Sequence, residues 1–254
     1  MYERIIQFYE GDVEGNDPLY SDPKAYVTWN ALLFPDISTE IARSEEGRYL
    51  NPSFLECPER MIDLTLDLYE KMSKSENDQI VYRVERYSDY KVFLKEKRFC
   101  TFLSTSTSGF LNAYQDKNQL VLMRITIPKG IKCLDFSKAL DSYKKQEEKE
   151  ILLPPYLTFE SHSLEMDERI LSIYDRNGQS PVVYCDVKVG KSNYAINEMK
   201  VDIDACIEAS KRVYDCLNQK QSFNDLDVNA YILFKKYIQN EIQKRMKEID
   251  YGNQ

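Results

Sequence analysis

The chain has 254 residues, with 34 Lys+Arg against 42 Asp+Glu and so a formal charge of −8; 43% of its residues are hydrophobic and 30% charged. These proportions support a buried core of one large domain or of a core with helical additions, and the acidic balance disfavours a dedicated nucleic-acid binder. Eight glycines, at 11, 15, 47, 109, 130, 178, 190 and 252, are never paired across one residue, which excludes a G-x-G-x-x-G dinucleotide loop and a P-loop.

In chain order, residues 1–75 read as helices and turns punctuated by Pro18, Pro23, Pro35, Pro52 and Pro58, with Trp29 in a helix core. Pro58 opens a helix that carries Met61, Ile62, Leu64, Leu66, Leu68 and Tyr69 and ends near Lys74. The pattern then turns to strands, expected over 80–87, 99–106, 120–128, 131–136, 151–159, 170–174 and 182–189. Asp175-Arg176-Asn177-Gly178 reads as a hairpin turn, residues 109–116 as a short helix and 137–145 as a loop or helical turn. From about residue 191 helices return, one with a stripe of Ile203, Cys206, Val213 and Leu217. The second has Tyr231, Phe234, Ile238, Ile242, Met246 and Ile249 at three- to four-residue spacing. Helices, a mostly antiparallel β-core and helices again make the expected class α+β, with regions at 1–75, 76–190 and 191–254.

His162 is the only histidine, so multi-histidine metal centres are excluded; it lies in a polar stretch and reads as a surface residue. The cysteines at 57, 100, 133, 185, 206 and 216 form no C-x-x-C unit and read as reduced thiols. The first ten residues lack the apolar core of a signal peptide, and no apolar run reaches membrane-spanning length. The expectation is a protein without a membrane span that acts in a cytoplasm, its own or that of a target cell.

Three short segments carry chemistry. In Val81-Tyr82-Arg83-Val84-Glu85-Arg86, strand alternation puts Arg83 and Glu85 on one face, with Tyr82, Val84 and Arg86 on the other. Five consecutive hydroxyl residues, Ser104 to Ser108, follow Phe102-Leu103 at the end of a strand; by itself this also suits an N-cap. Glu148 and Glu150 stand two apart at the entrance to the apolar run Ile151-Leu152-Leu153-Pro154-Pro155, so both carboxylates are expected to point the same way. Like charges so placed raise one another's cost of ionisation, as catalytic carboxylate pairs do.

In this order, an arginine strand, a Phe102-x-Ser104-Thr105-Ser106 strand and a Glu148-x-Glu150-Ile-Leu-Leu-Pro strand resemble the arginine–serine–glutamate class of mono-ADP-ribosyltransferases. Within it, the third segment is similar to the vertebrate arginine-specific transferases and to the actin-modifying binary bacterial toxins. Ile125-Thr126-Ile127-Pro128-Lys129-Gly130 before the next strand is also similar to the family. The resemblance spans about residues 80–189. It implies a two-sheet β-core with a cleft for NAD, flanked by N- and C-terminal helices, with NAD as substrate and no metal.

The resemblance further implies that Arg83, rather than nearby Arg86, holds the NAD phosphates, and that Ser104 positions the nicotinamide ribose and Glu150. Thr105, Ser106 and Phe110 are grouped with them at the dinucleotide, although alternation turns Thr105 toward packing. Glu150 stabilises the positive charge that develops on the ribose, and Glu148 orients and deprotonates an arginine acceptor, with Tyr143 in the acceptor-recognition turn. One departure is Val84, where the arginine motif often continues with glycine. The expected activity is transfer of ADP-ribose from NAD to a protein arginine, by a bacterial toxin or effector, with an antitoxin or chaperone left open as a partner. Two alternatives stay open: transfer to RNA or DNA, with Lys91, Lys95, Lys97 and Arg98 as a basic contact, and a catalytically silent interaction module.

Overall fold

In a computed structural model of the chain, the described residues are 25–35, 57–107, 119–139, 149–165, 167–169 and 183–252. The elements run α1 (Ala25–Leu33), α2 (Pro58–Lys71), β1 (Ser73–Lys74), β2 (Gln79–Arg86), α3 (Tyr87–Glu96), β3 (Leu103–Ser106) and β4 (Leu120–Ile127). They continue as β5 (Lys132–Asp135), α4 (Phe136–Ala139), β6 (Glu150–Leu153), β7 (Leu157–Ser163), β8 (Val183–Ser192), α5 (Ile203–Gln219) and α6 (Asp225–Tyr251). The chain divides into two compact units, residues 72–193 and residues 1–71 with 194–254.

In the unit of residues 1–71 with 194–254, the described elements are helices. Pro58 starts α2 where its missing N–H costs nothing, with Glu59 in the first turn and Lys71 in the last to complement the helix dipole. Trp29 of α1 is fully buried, and its indole N–H donates to the Thr65 hydroxyl at 2.8 Å, which donates in turn to the Met61 carbonyl at 2.8 Å. The Asp202 and Asn224 side chains accept backbone N–H groups at the starts of α5 and α6. Cys206, Val213 and Leu217 of the first C-terminal stripe are buried, as are Tyr231, Phe234, Ile238, Ile242 and Met246 of the second. Gln239 of α6 donates to the Leu32 carbonyl at 2.9 Å, and Arg245 pairs with Glu59 and Asp63 of α2. Among the described residues no helix is long and apolar enough to cross a membrane.

In the other unit the described residues form eight strands in the order β1-β5-β6-β3-β2-β4-β8-β7. β4 pairs with β2 along its whole length, from Gln79↔Ile127 to Arg86↔Leu120, and runs parallel to β8 on its other side. A strand buried on both faces carries a near-continuous apolar run; accordingly Val121, Leu122 and Met123, which alternate between the two faces of β4, are all buried. By contrast, among the described residues β2 and β3 are in register at Tyr82↔Ser106 alone. The expected two-sheet core is therefore present as two four-stranded halves, β1-β5-β6-β3 and β2-β4-β8-β7, joined at one residue pair. Among the described residues the mostly antiparallel core holds one parallel pair, β4 with β8.

The structure corrects three local expectations. The run over 151–159 is not one strand: Pro154 and Pro155 lack ladder donors and Tyr156 takes φ 69°, so the chain breaks there into β6 and β7. The strand expected over 99–106 contracts to Leu103–Ser106, because Phe99 instead exchanges backbone hydrogen bonds with Tyr156 and Leu157 across that break. Residues 87–96, assigned to no element from the sequence, form α3, which buries Tyr90 and Phe93. Three readings, the strand over 170–174, the turn over 175–178 and the helix over 109–116, lie outside the described residues, as do residues 140–145 of the polar segment.

Candidate active site

Three neighbouring strands at the pinched join bring the sequence-singled residues together. On β3, alternation sends Ser104 and Ser106 to one face and Thr105 to the other. Ser106 is opposite Tyr82 of β2 on one side and Glu150 of β6 on the other, so it fixes the lateral position of Glu150. Thr105 is buried, and its hydroxyl donates to the Ile151 carbonyl at 2.6 Å.

Ser104 is the hub. Its hydroxyl donates to Oε1 of Glu150 in a short hydrogen bond, and its carbonyl accepts Nη1–H of Arg83 at 2.7 Å. One residue thus connects a guanidinium on β2 with a carboxylate on β6. Glu150 is 5% exposed; a carboxylate so buried requires charge-assisted hydrogen bonds to offset its lost hydration. Its backbone setting is particular as well. Lys149, the residue before it, takes φ 44°, a left-handed conformation that costs a side-chain-bearing residue about 1–2 kcal/mol. The Lys149 carbonyl accepts the N–H of Thr107 at 3.3 Å, which closes the end of the β3–β6 pair beside Glu150. Extended geometry begins only at Glu150.

Arg83 is held from a second direction. Oε2 of Glu85 accepts its Nε–H at 2.9 Å and its Nη2–H at 2.6 Å, while Oε1 of Glu85 accepts the backbone N–H of Arg86 at 3.2 Å. The side chains of Arg83 and Glu85 are 15% and 7% exposed. Glu85 was not singled out from the sequence, although the alternation that set it on the face of Arg83 was legible. Arg86 lies at the end of β2, at the N-cap position of α3, where its side chain makes no capping hydrogen bond.

The structure thus brings Arg83, Ser104, Ser106 and Glu150 to one place, with Thr105 behind them. Glu148, Tyr143 and Phe110 lie outside the described residues. His162 is on β7, with its side chain 71% exposed and 3.5 Å from Asp186, which also pairs with Arg124 at 3.2 Å. Among the described residues no group of three or more His, Cys, Asp or Glu could hold a metal ion.

No family model and no curated protein matches this chain. Among solved structures it is similar to Plx2a, an ADP-ribosyltransferase toxin from Paenibacillus larvae, at 17% identity over 64% of this chain and 85% of that one, with a TM-score of 0.36. It is similar to the catalytic domain of VahC from Aeromonas hydrophila at 18% identity over 75% and 99% of the two chains, TM-score 0.40. It is also similar to C3stau2 from S. aureus, solved with NAD, at 14% identity over 65% and 88%, TM-score 0.34.

Proposed function

We propose that this protein is a mono-ADP-ribosyltransferase that transfers ADP-ribose from NAD to a protein arginine, with release of nicotinamide, and acts as a bacterial toxin or effector. The observation that carries the reading is the connection of Arg83, Ser104 and Glu150 through the two ends of Ser104. The order of the three motifs, which resembles the arginine–serine–glutamate class, supports it independently.

Each residue has chemistry suited to one part of the reaction. Arg83 offers a planar fork that matches phosphate oxygens, which a lysine ammonium does not. Glu150 is a preorganised anion for the positive charge that grows on the ribose as the bond to nicotinamide breaks; groups of this kind contribute about 10²–10³ in rate. Ser104 keeps that anion aimed. Glu148 serves the acceptor: it orients the incoming guanidinium and takes the proton released as the new carbon–nitrogen bond forms, a contribution of about 10²–10⁴.

The test is incubation of the purified protein with labelled NAD and a whole-cell lysate, with the products split by protease and by nuclease. Label lost only to protease, together with nicotinamide release, supports the reading. Label lost only to nuclease replaces it with nucleic-acid modification, and neither label nor nicotinamide favours the silent module. Glu150→Gln is expected to abolish NAD cleavage and transfer together, whereas Glu148→Gln spares cleavage and weakens transfer to arginine. Arginine transfer left intact in Glu148→Gln would remove that residue's assigned role.

A further inference from the structure

Glu85 is buried and charged, and nothing in the reading above gives it a task. A carboxylate with 7% of its side chain exposed needs donors, and Glu85 has them on both oxygens. The Arg86 amide, on Oε1, ties the carboxylate to the backbone of the next residue. That leaves Oε2 as a fixed acceptor for the side-on fork of Arg83, Nε–H at 2.9 Å and Nη2–H at 2.6 Å. The Ser104 carbonyl takes Nη1–H. Contacts at two separate edges define the plane of the guanidinium and its rotation within that plane.

We infer that Glu85 is the positioning residue of the anion-binding arginine. It holds Arg83 by the side-on edge and so fixes the orientation of the guanidinium that an incoming pyrophosphate meets. The inference rests on Arg83 as the phosphate anchor of the proposed transferase. An arginine has several rotatable bonds, and ordering it before the ligand arrives removes that cost from binding. Glu85 therefore acts on affinity for the dinucleotide and leaves the bond-breaking step to Glu150.

The experiment compares wild type, Glu85→Ala, Glu85→Gln, Arg83→Ala and the double variant Arg83→Ala/Glu85→Ala for NAD cleavage and for binding of inorganic pyrophosphate. Thermal melting is followed alongside. Loss of the ordered fork in Glu85→Ala is expected to raise KM for NAD about 10- to 100-fold, with the loss falling on KM rather than kcat. Glu85→Gln preserves volume and one oxygen for the fork, and should recover most of that loss. The double variant should bind no more weakly than Arg83→Ala, since a residue that acts through another has nothing left to position.

Three results would overturn the inference. One is Glu85→Ala binding NAD as tightly as wild type or more tightly, which would make Glu85 a competing anion. Another is a double variant weaker than Arg83→Ala, and the third is a loss in Glu85→Ala that follows melting temperature and is shared between KM and kcat. Pyrophosphate separates this from failure of the transferase reading. A wild type that binds it through Arg83 and Glu85 but leaves NAD uncleaved would refute the transferase and keep the positioning.

Discussion

Replacement of Ser104 by alanine removes one oxygen and tests the core of the site. The hydroxyl donates to Glu150, and a hydrogen bond to an ionised group contributes about 1.5–3 kcal/mol. At about 1.4 kcal/mol per decade of rate, that predicts a fall in kcat of roughly 10- to 150-fold. Glu150 is only 5% exposed, so solvent replaces the lost donor poorly, which points to the upper part of the range. The Ser104 carbonyl, which holds Arg83, survives the substitution. So does the β3–β6 register from Leu103↔Leu153 to Ser106↔Glu150. KM for NAD should therefore change far less than kcat. The assay is steady-state release of nicotinamide, with Ser104→Thr as the variant that keeps a hydroxyl and most of the rate. A Ser104→Ala enzyme with kcat within about twofold of wild type, or with its loss confined to KM, would refute the argument.

Two further predictions concern stability in the sheet unit. A Cβ built on Gly190 would lie 2.5 Å from Oγ1 of Thr158, so Gly190→Ala should destabilise by about 1–3 kcal/mol in denaturant unfolding; adding Thr158→Ala, which removes that oxygen, should recover part of the loss. Burial pushes the Cys100 thiol up from 9.0 to about 12, so between those pH values the unfolded chain sheds a proton that the folded one keeps. Stability should then fall as pH rises from about 9 toward 12, by at most about 1.4 kcal/mol per pH unit from this group; a thermal-melting series in which Cys100→Ala reduces the slope checks it.

The strands at the centre of the sheet were legible because burial on both faces writes a continuous apolar run, as in Val121-Leu122-Met123. Arg83, Ser104 and Glu150 were legible for the opposite reason: polar residues interrupt apolar strands, and their order resembles a known class. The helix α3 was missed because both of its end signals are absent. Its N-cap is Arg86, which makes no side-chain capping bond, and its C-cap is Lys97 at φ 56° where glycine is the usual marker. The break between β6 and β7 had its signal in Pro154-Pro155, but the apolar residues on either side outweighed it in a reading by hydrophobic pattern. Contacts such as Gln239 with Leu32 or Arg245 with Glu59 join positions about two hundred residues apart; periodicity tells which face of a helix is buried but not against which other helix.

Glu85 escaped for a reason that bears on how the site is built. Seen alone, a glutamate two residues from an arginine on a strand is an ordinary surface pair. It becomes a buried clamp because β2 and β3 meet at one register pair and then stop pairing. In a closed antiparallel ladder, a carbonyl facing the neighbouring strand takes a backbone N–H. Where the two halves of this sheet part, the Ser104 carbonyl takes Nη1–H of Arg83 instead, and the arginine side chain occupies the gap together with its glutamate. The separation of the strands and the placement of the cation thus have one cause. A second ladder pair between β2 and β3 beyond Tyr82↔Ser106 would give the Ser104 carbonyl a backbone donor and release Arg83 from it, so the narrow join is a condition for the site rather than an irregularity beside it.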